Sequence, residues 1–315
     1  MSPASSAGAY VSLEELIRLQ HRTRGAFSFL PRQPVHSLLS GRHASRIRGR
    51  GLNFEELRGY LPGDDVRSID WKVTARTRKP HVRVFTEERD RPAVLVVDQR
   101  LAMFYGTRKN MKSVTAAELA AVGAWRVFDQ GDRVGAVVFD DTEVCDVRPH
   151  RSKRTVLQIL HLLVEKNGAL RADSEVSRGP TMLNRALDGV ARVVKHDALV
   201  TIISDFDGAD EETTRVVSRL AQHNDVLAVP VYDPSSTEIP SRGRLVVSDG
   251  ELQVELNVGK ALTRRRLAEM ADRRLASVMA WQEELGIPVM PVSTAEDSLD
   301  QVRTLLGRAA GTRRR

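Results

Sequence analysis

The chain of 315 residues has a single cysteine and no long apolar run, and each shortage excludes a class of protein. With only Cys145, no internal disulfide and no Cys-x-x-Cys zinc site can form, which is typical of a reducing compartment. No stretch approaches about eighteen uninterrupted apolar residues, so no membrane span is predicted. The first ten residues lack the basic and apolar segments of a secretory signal. We therefore predict a cytoplasmic protein.

Several short catalytic and nucleotide-binding motifs are also missing. The sequence contains no GxxxxGK[ST] phosphate loop, no GxGxxG between a strand and a helix, no HExxH and no GxSxG. These motifs carry the phosphate, metal and nucleophile chemistry of common enzyme classes. Their absence removes the best support for a nucleotide-hydrolysing enzyme or a classical hydrolase, and no cofactor is predicted.

Positive charge is in excess and is unevenly placed. The net charge is +7, and residues 18–50 contain eight arginines, three histidines and no acid. Such a basic arm either binds nucleic acid or another anionic surface, or is only a solvated segment. We divide the chain into a basic N-terminal arm with a short helix (1–50), an extension (51–91), a main domain (92–310) and a basic tail (311–315).

Hydrophobic patterning predicts alternating strands and helices from residue 93 onward. Continuous apolar runs such as "AVLVV" and "ALVTIIS" are typical of strands that are covered on both faces. "TEVCDVRP" is predicted as an antiparallel edge strand, and Asp249-Gly250 as the turn of an inserted β-hairpin. A capping box at Ser12 and Glu15 begins the N-terminal helix. The fold class is therefore α/β, a Rossmann-like, doubly wound, mostly parallel sheet with an N-terminal extension and a β-hairpin insertion.

Three polar residues stand where predicted strands end or a helix begins. Asp98 follows "AVLVV", Asp205 follows "ALVTIIS", and Thr181 lies in "RGPTML". Ligands of open parallel sheets bind beyond the carboxyl ends of the strands, so we expect these side chains to meet there. Alternatively, the two aspartates are short acids that cap the following loop or helix.

Together, Asp98, Thr181 and Asp205 resemble the metal-ion-dependent adhesion site of von Willebrand factor type A domains. In that family a D-x-S-x-S stretch, a distant threonine and a second aspartate surround a divalent cation, which also binds a carboxylate of the partner protein. If this chain bound a cation, the same three residues would hold it.

The sequence departs from that pattern because Arg100 and Ala102 occupy the two serine positions. A guanidinium at this place opposes cation binding by on the order of several kcal/mol, so weak or absent Mg²⁺ binding is predicted. Arg100 either replaces the metal, neutralising an aspartate and taking a partner carboxylate, or it points into solvent beside a decayed site.

The extension "NFEELRGYLPGDDVRSIDWKVTARTRKPHVRVFTEERD" mixes both signs of charge. Trp71, with Ile69 and Tyr60, is predicted to anchor it, and "HVRVF" is predicted to be a strand that leads into the sheet. We expect Arg–Asp pairs to pin this segment to the main domain, because each acid has a base nearby in sequence. The alternative is a metal site for phosphoester hydrolysis, built from Asp64, Asp65, Asp70 and His81.

The stretch "GRGLNFEELRGYLPGDDVRSIDWKVTARTRKPHVRVFTEERD", followed by "VLVVD", resembles the hallmark of the bacterial domain-of-unknown-function family fifty-eight. Members of that family join an N-terminal extension to a von Willebrand factor type A-like domain, and the resemblance covers residues 40–310. The hallmark residues, to which we assign a structural role, are Arg58, Pro62, Gly63, Asp64, Asp65, Arg67, Asp70, Trp71 and Arg76.

The resemblance implies association with MoxR-type AAA+ ATPases and a role as a non-enzymatic protein-binding adaptor or chaperone-like partner, acting on an unknown client protein. The predicted partner-binding residues are Asp98, Arg100, Thr181 and Asp205. Nucleic-acid or anionic-surface binding through the basic arm is the alternative, and a metal-dependent hydrolase is a lesser one.

Overall fold

A computed structural model describes residues 8–23, 52–87, 92–171, 173, 179, 181–236, 244–248, 253–257 and 261–311. The chain divides into two units, residues 1–31 with 91–315, and residues 32–90. Most of the basic arm, the arginines of the tail and the Asp249-Gly250 turn lie outside the described residues, so their predicted roles stay predictions.

Helices and strands alternate along the chain as the patterning predicts. In chain order they are α1 (Leu13–Thr23), β1 (Leu52–Gly59), α2 (Trp71–Thr77), β2 (His81–Glu87), β3 (Ala93–Asp98), α3 (Lys112–Asp129), β4 (Val134–Phe139), β5 (Val144–His150), α4 (Lys153–Ala169), α5 (Met182–Val193), β6 (Leu199–Ser204), α6 (Glu211–Ala221), β7 (Asp225–Tyr232), β8 (Arg244–Ser248), β9 (Gln253–Asn257), α7 (Ala261–Glu284), β10 (Val292–Ser293) and α8 (Ser298–Gly311).

The larger unit is built on a six-stranded sheet with the strand order β10-β7-β6-β3-β4-β5. All neighbouring strands are parallel except β5, which runs antiparallel to β4 at the sheet edge. The predicted α/β fold with a mostly parallel, doubly wound sheet is confirmed. Strands β8 and β9 pair with each other as a separate two-stranded sheet, as the hairpin insertion predicts.

Both faces of the sheet are covered by helices because its central strands are apolar on both sides. Leu95 and Val97 belong to one buried cluster, with residues of α1, α3, α4 and α8. Val94 and Val96 face the other cluster, with residues of α5, α6 and α7. The strand ends are therefore the part of this sheet where polar groups can gather.

The smaller unit contains an antiparallel pair of β1 and β2 and the short helix α2. The prediction that "HVRVF" forms a strand is confirmed, and this strand pairs with β1 in a two-stranded sheet of its own and not with the six-stranded sheet. The prediction that Trp71 is an anchor is wrong, since its side chain is 68% exposed. Asp70, which precedes it, is turned inward to cap α2, so the first residue of this short helix faces outward.

No helix in the described part of the chain combines the length and the apolar character needed to cross a membrane.

A buried arginine–aspartate pair at the candidate site

The candidate site lies at the carboxyl ends of two neighbouring strands. Strand β3 ends at Asp98 and β6 ends at Ser204, and the two strands are parallel with Val97 opposite Ile203. Ser204 Oγ donates a hydrogen bond of 2.6 Å to Asp98 Oδ2. The sheet topology therefore brings together two polar residues that are distant in sequence.

The guanidinium of Arg100 points inward and forms a fork on Asp98. Arg100 Nε lies 3.0 Å from Oδ1, and Nη2 lies 2.7 Å from Oδ2. The Arg100 backbone N–H also donates to Oδ1, at 3.0 Å. The side chains are 2% and 0% exposed, so the pair is buried and Arg100 does not point into solvent.

The remaining donors of Arg100 reach two other loops. Nη2 donates to the backbone carbonyl of Asp207 at 3.0 Å, and Nη1 donates to that of Gly179 at 3.4 Å. Asp141 adds a second link, because its carboxylate accepts from the backbone N–H groups of Leu101 at 2.6 Å and Gly179 at 2.9 Å. One guanidinium thus joins the segments that follow β3, precede α5 and follow β6.

Electrostatics keep this guanidinium charged. Burial opposes the charged form, but the charge and hydrogen bonds of Asp98, with help from the charges of Asp205 and Asp207, outweigh it. The pKa of Arg100 is therefore raised above its ordinary value.

Asp205 lies beside this pair and has its own cations. It forms an ion pair with Lys112 Nζ, and Arg274 Nη1 of α7 lies 4.0 Å from Asp205 Oδ2. Burial would raise the pKa of Asp205, but the charge and hydrogen bond of Lys112 and the charge of Arg100 lower it. Arg274 also forms an ion pair with Asp207. The site is therefore a cluster of alternating charges rather than an isolated pair.

Thr181 stands apart from these contacts. It is exposed at the N-terminus of α5 and, within the described part of that helix, its side chain makes no capping hydrogen bond. The structure brings together Asp98, Arg100 and Asp205, whereas Thr181 shares with them only its place beside the loop of Gly179.

Sequence reasoning missed five contributors, for two different reasons. Ser204 directly precedes Asp205 at the strand end, and Asp141 lies in an acidic turn after β4, so both carried a local signal. The other three, which are Lys112, Asp207 and Arg274, join the cluster through contacts that no short-range pattern reveals.

The residues present do not fit the divalent cation of an adhesion site. Both carboxylate oxygens of Asp98 already accept hydrogen bonds from the guanidinium, and Oδ2 also accepts from Ser204. Elsewhere in the described chain, no three His, Cys, Asp or Glu side chains gather in a way that could hold a metal.

The acids of the smaller unit are used within its own framework. Arg58 forms a two-bonded fork on Asp64, at 2.8 Å for each bond. Asp65 and Asp70 accept backbone N–H groups at the starts of a short 3₁₀ turn and of α2. His81 Nδ1 lies 2.7 Å from the carbonyl of Lys79. These acids therefore make local contacts within the described part of the unit, and the structural role of the hallmark residues stays a prediction.

The family described as "Protein of unknown function DUF58" matches residues 56–276 of this chain. "Uncharacterized protein Rv1480" of Mycobacterium tuberculosis (strain ATCC 25618 / H37Rv) is 32% identical over 287 residues, which cover 89% of this chain and 87% of the relative. "Uncharacterized protein MAV169" of Mycobacterium avium is 31% identical over 132 residues, covering 41% of this chain and 77% of the relative.

Two similar solved structures are BatB and a VWA domain. BatB from Bacteroides thetaiotaomicron has a TM-score of 0.42 at 11% identity and covers 70% of this chain and 99% of its own. The SpRpn10 VWA domain has a TM-score of 0.33 at 11% identity, with coverages of 67% and 93%. The assignment of the fold rests on the strand order of the six-stranded sheet.

Proposed function

The chain belongs to the family described as "Protein of unknown function DUF58", as its hallmark predicted, and from this premise we propose that it is a non-enzymatic protein-binding adaptor or chaperone-like partner of a MoxR-type AAA+ ATPase. The binding region is a degenerate adhesion site at the ends of β3 and β6. Asp98, Arg100, Thr181 and Asp205 define this region.

The observation that carries the proposal is the buried ion pair between the guanidinium of Arg100 and Asp98, which is the last residue of β3. The guanidinium holds Asp98 with a fork and contacts the carbonyls of Asp207 and Gly179. A fixed cation of this kind does what a metal does for loop geometry, because it holds several oxygen-bearing loops around one positive charge. It needs no free ion to do so, and it supplies no water or nucleophile for hydrolysis.

In this proposal, buried residues position the loops and exposed residues contact the partner. Asp98 and Arg100 are too deeply buried to touch a partner directly, so they position the loops. The partner contacts come from the rim, where Thr181 is exposed and where Asp207 and Arg274 have side chains that are 24% and 43% exposed. Asp205 acts from beneath, through its ion pair with Lys112.

Co-elution with a MoxR-type AAA+ ATPase tests this function. We expect Thr181→Arg and Arg274→Glu to reduce the bound fraction at least about tenfold, because in this proposal the two side chains contact the partner directly and a few such contacts carry most of the binding energy. Arg100→Glu and Asp205→Ala should also lose binding, but they remove buried charge pairs and so need a check of thermal stability.

The matched control is Arg219→Glu, which breaks an exposed ion pair of 2.9 Å with Asp188 between α6 and α5. It should bind like the unmodified chain. Unchanged binding of both rim variants would remove the rim from the account, and no co-elution of the unmodified chain would overturn the ATPase partnership itself.

A further inference from the structure

The smaller unit exposes large apolar side chains along one segment. Leu61 and Val66 are each 59% exposed and Trp71 is 68% exposed. Burial of large apolar side chains is favourable, so three of them left in water on a short segment represent unused binding energy. Exposed apolar groups that are clustered and surrounded by polar residues are typical of interaction sites.

The ion pair between Arg58 and Asp64 holds the backbone beside Leu61. Asp64 accepts both bonds of Arg58 and also accepts the Leu61 N–H at 2.8 Å. The side chains of Arg58 and Asp64 are 37% and 20% exposed, so this pair is partly shielded from solvent. The Leu61 backbone is therefore fixed before any partner arrives.

Two further aspartates fix the backbone beside Val66 and Trp71. Asp65 accepts the Arg67 N–H at 3.0 Å, and Asp70 accepts the N–H groups of Lys72 and Val73 at 3.0 and 3.1 Å. The Asp70 N–H donates in turn to the carbonyl of His81 at 2.8 Å. A surface that is already ordered loses less conformational entropy when it binds.

Positive charge is in excess along the segment that carries the three apolar residues. In residues 61–80 the sequence has three acids and five bases, and all three acids are used in the framework just described. The five bases are exposed, and they are Arg67, Lys72, Arg76, Arg78 and Lys79. Arg67 directly follows Val66, and Lys72 directly follows Trp71. A ligand of this surface must therefore combine apolar groups with negative charge.

We propose that Leu61, Val66 and Trp71, with the basic residues around them, form a docking surface for an acidic protein segment with an apolar face. We call it the Trp71 surface. It uses none of the residues of the Asp98 site, and it stands whether or not that site binds an ATPase. In this interpretation the hallmark acids are positioning residues, which hold the apolar side chains ready for the partner.

Trp71 provides the readout for a test on the full chain. The chain has three tryptophans, and Trp125 and Trp281 are 0% and 3% exposed, so quenching of fluorescence by acrylamide reports mainly on Trp71. The probe is an amphipathic peptide of about 20 residues, long enough to be helical, with leucine on one face and glutamate on the other. A second peptide has the same leucines, with lysine in place of glutamate.

We expect the acidic peptide to protect Trp71 from quenching and to shift its emission to the blue, with binding that weakens as salt is added. Trp71→Ala should weaken binding, followed by anisotropy of a labelled peptide, at least about tenfold. Arg67→Glu combined with Lys72→Glu should have a similar effect. The control Val193→Ala removes a side chain that is 65% exposed on α5 and should bind normally.

Four results would overturn the proposal. Trp71 that is already protected in the free chain would mean that the chain covers its own surface. Protection that grows with protein concentration alone would identify a second copy as the occupant. Equal binding of the lysine peptide would leave only apolar adhesion, and no binding of the acidic peptide would exclude this class of ligand.

Discussion

At the scale of single residues, Arg100 and Asp98 depend on each other. Both side chains are buried, and each would be costly to bury alone because an uncompensated charge loses its hydration. Removing one partner of a buried pair typically costs about 3–5 kcal/mol. The planar fork of arginine suits a carboxylate better than a lysine ammonium would, so Arg100→Lys is not a conservative change at this position.

The cation that the guanidinium excludes should gain access when the guanidinium is removed. We expect Arg100→Ser with Ala102→Ser to destabilise the fold by about 3–5 kcal/mol and to gain a Mg²⁺-dependent rise in melting temperature, because hydroxyls then replace the fixed charge beside Asp98. Calorimetry with Mg²⁺ and Mn²⁺ should show no binding to the unmodified chain.

Arg100→Met is the matched control, since it loses the charge without adding a ligand. It should be destabilised without any response to Mg²⁺. Micromolar Mg²⁺ affinity in the unmodified chain would contradict this account of Arg100.

The sequence predicted the chemistry of this site better than its geometry. The resemblance to the adhesion-site motif placed Arg100 at a serine position, and the charge of its guanidinium then identified it as an obstacle to a cation. The direction of its side chain was left open, since that depends on Ser204 and on the carbonyls of Gly179 and Asp207. Those partners arrive through the tertiary fold.

At the scale of elements, α1 shows how a short helix is held by long-range contacts. The predicted capping box is present, with Ser12 N–H donating to Glu15 Oε2 at 2.9 Å and Glu15 N–H donating to Ser12 Oγ at 3.3 Å. Trp125 Nε1 of α3 donates to the carbonyl of Leu16 at 3.0 Å. The Val11 N–H donates to Asn167 Oδ1 of α4 at 2.9 Å. This helix therefore packs with α3 and α4 in the larger unit.

We expect Leu16→Ala to lower the free energy of unfolding by about 2–5 kcal/mol, because Leu16 is 0% exposed in the core and its removal leaves a cavity. Urea unfolding followed by circular dichroism measures the change. Glu14→Ala is the control, since the ion pair of Glu14 with Arg18 is exposed and surface changes stay within about 0.5 kcal/mol. A small effect of Leu16→Ala would mean that α1 is not docked in solution.

Elements were predictable where one periodicity dominates a segment. The apolar runs of β3, β4 and β6 are buried at every position, so strands covered on both faces could be identified without knowing their partners. Strand β2 was harder, because alternation in "HVRVF" indicates a half-buried strand but does not say which sheet it joins. The predicted burial of Trp71 was wrong because apolar character alone does not decide which side of a short helix faces the unit. In α2 the capping residue Asp70 is turned inward, and Trp71 is exposed.

At the scale of the whole molecule, buried carboxylates tie distant segments together and make stability depend on pH. Asp233, just after β7, accepts hydrogen bonds from Thr107 Oγ1 at 2.6 Å, Ser235 Oγ at 2.6 Å and Thr294 Oγ1 at 2.6 Å. It also accepts the backbone N–H of Thr107 at 2.9 Å. One side chain thus links the loop before α3, the end of β7 and the segment after β10.

The charged form of Asp233 should stabilise the fold at pH values above the ordinary pKa of this carboxyl group. Burial raises the pKa, but the hydrogen bonds of Ser235, Thr107 and Thr294 outweigh it and lower the pKa of Asp233 from 3.8 to about 2. Since a shift of one pKa unit corresponds to about 1.4 kcal/mol, the charged form contributes roughly 2 kcal/mol. That contribution is complete above pH 3.8 and is lost as the pH falls through about 2.

Asp233→Asn should therefore lower the free energy of unfolding by about 2 kcal/mol near neutral pH, and the difference from the unmodified chain should shrink as the pH falls below 3.8. Urea unfolding at a series of pH values measures both curves. Asp197→Asn is a suitable control, because the side chain of Asp197 is 46% exposed and surface changes stay within about 0.5 kcal/mol. A difference that stays constant with pH would contradict the stabilising role of the charged form of Asp233.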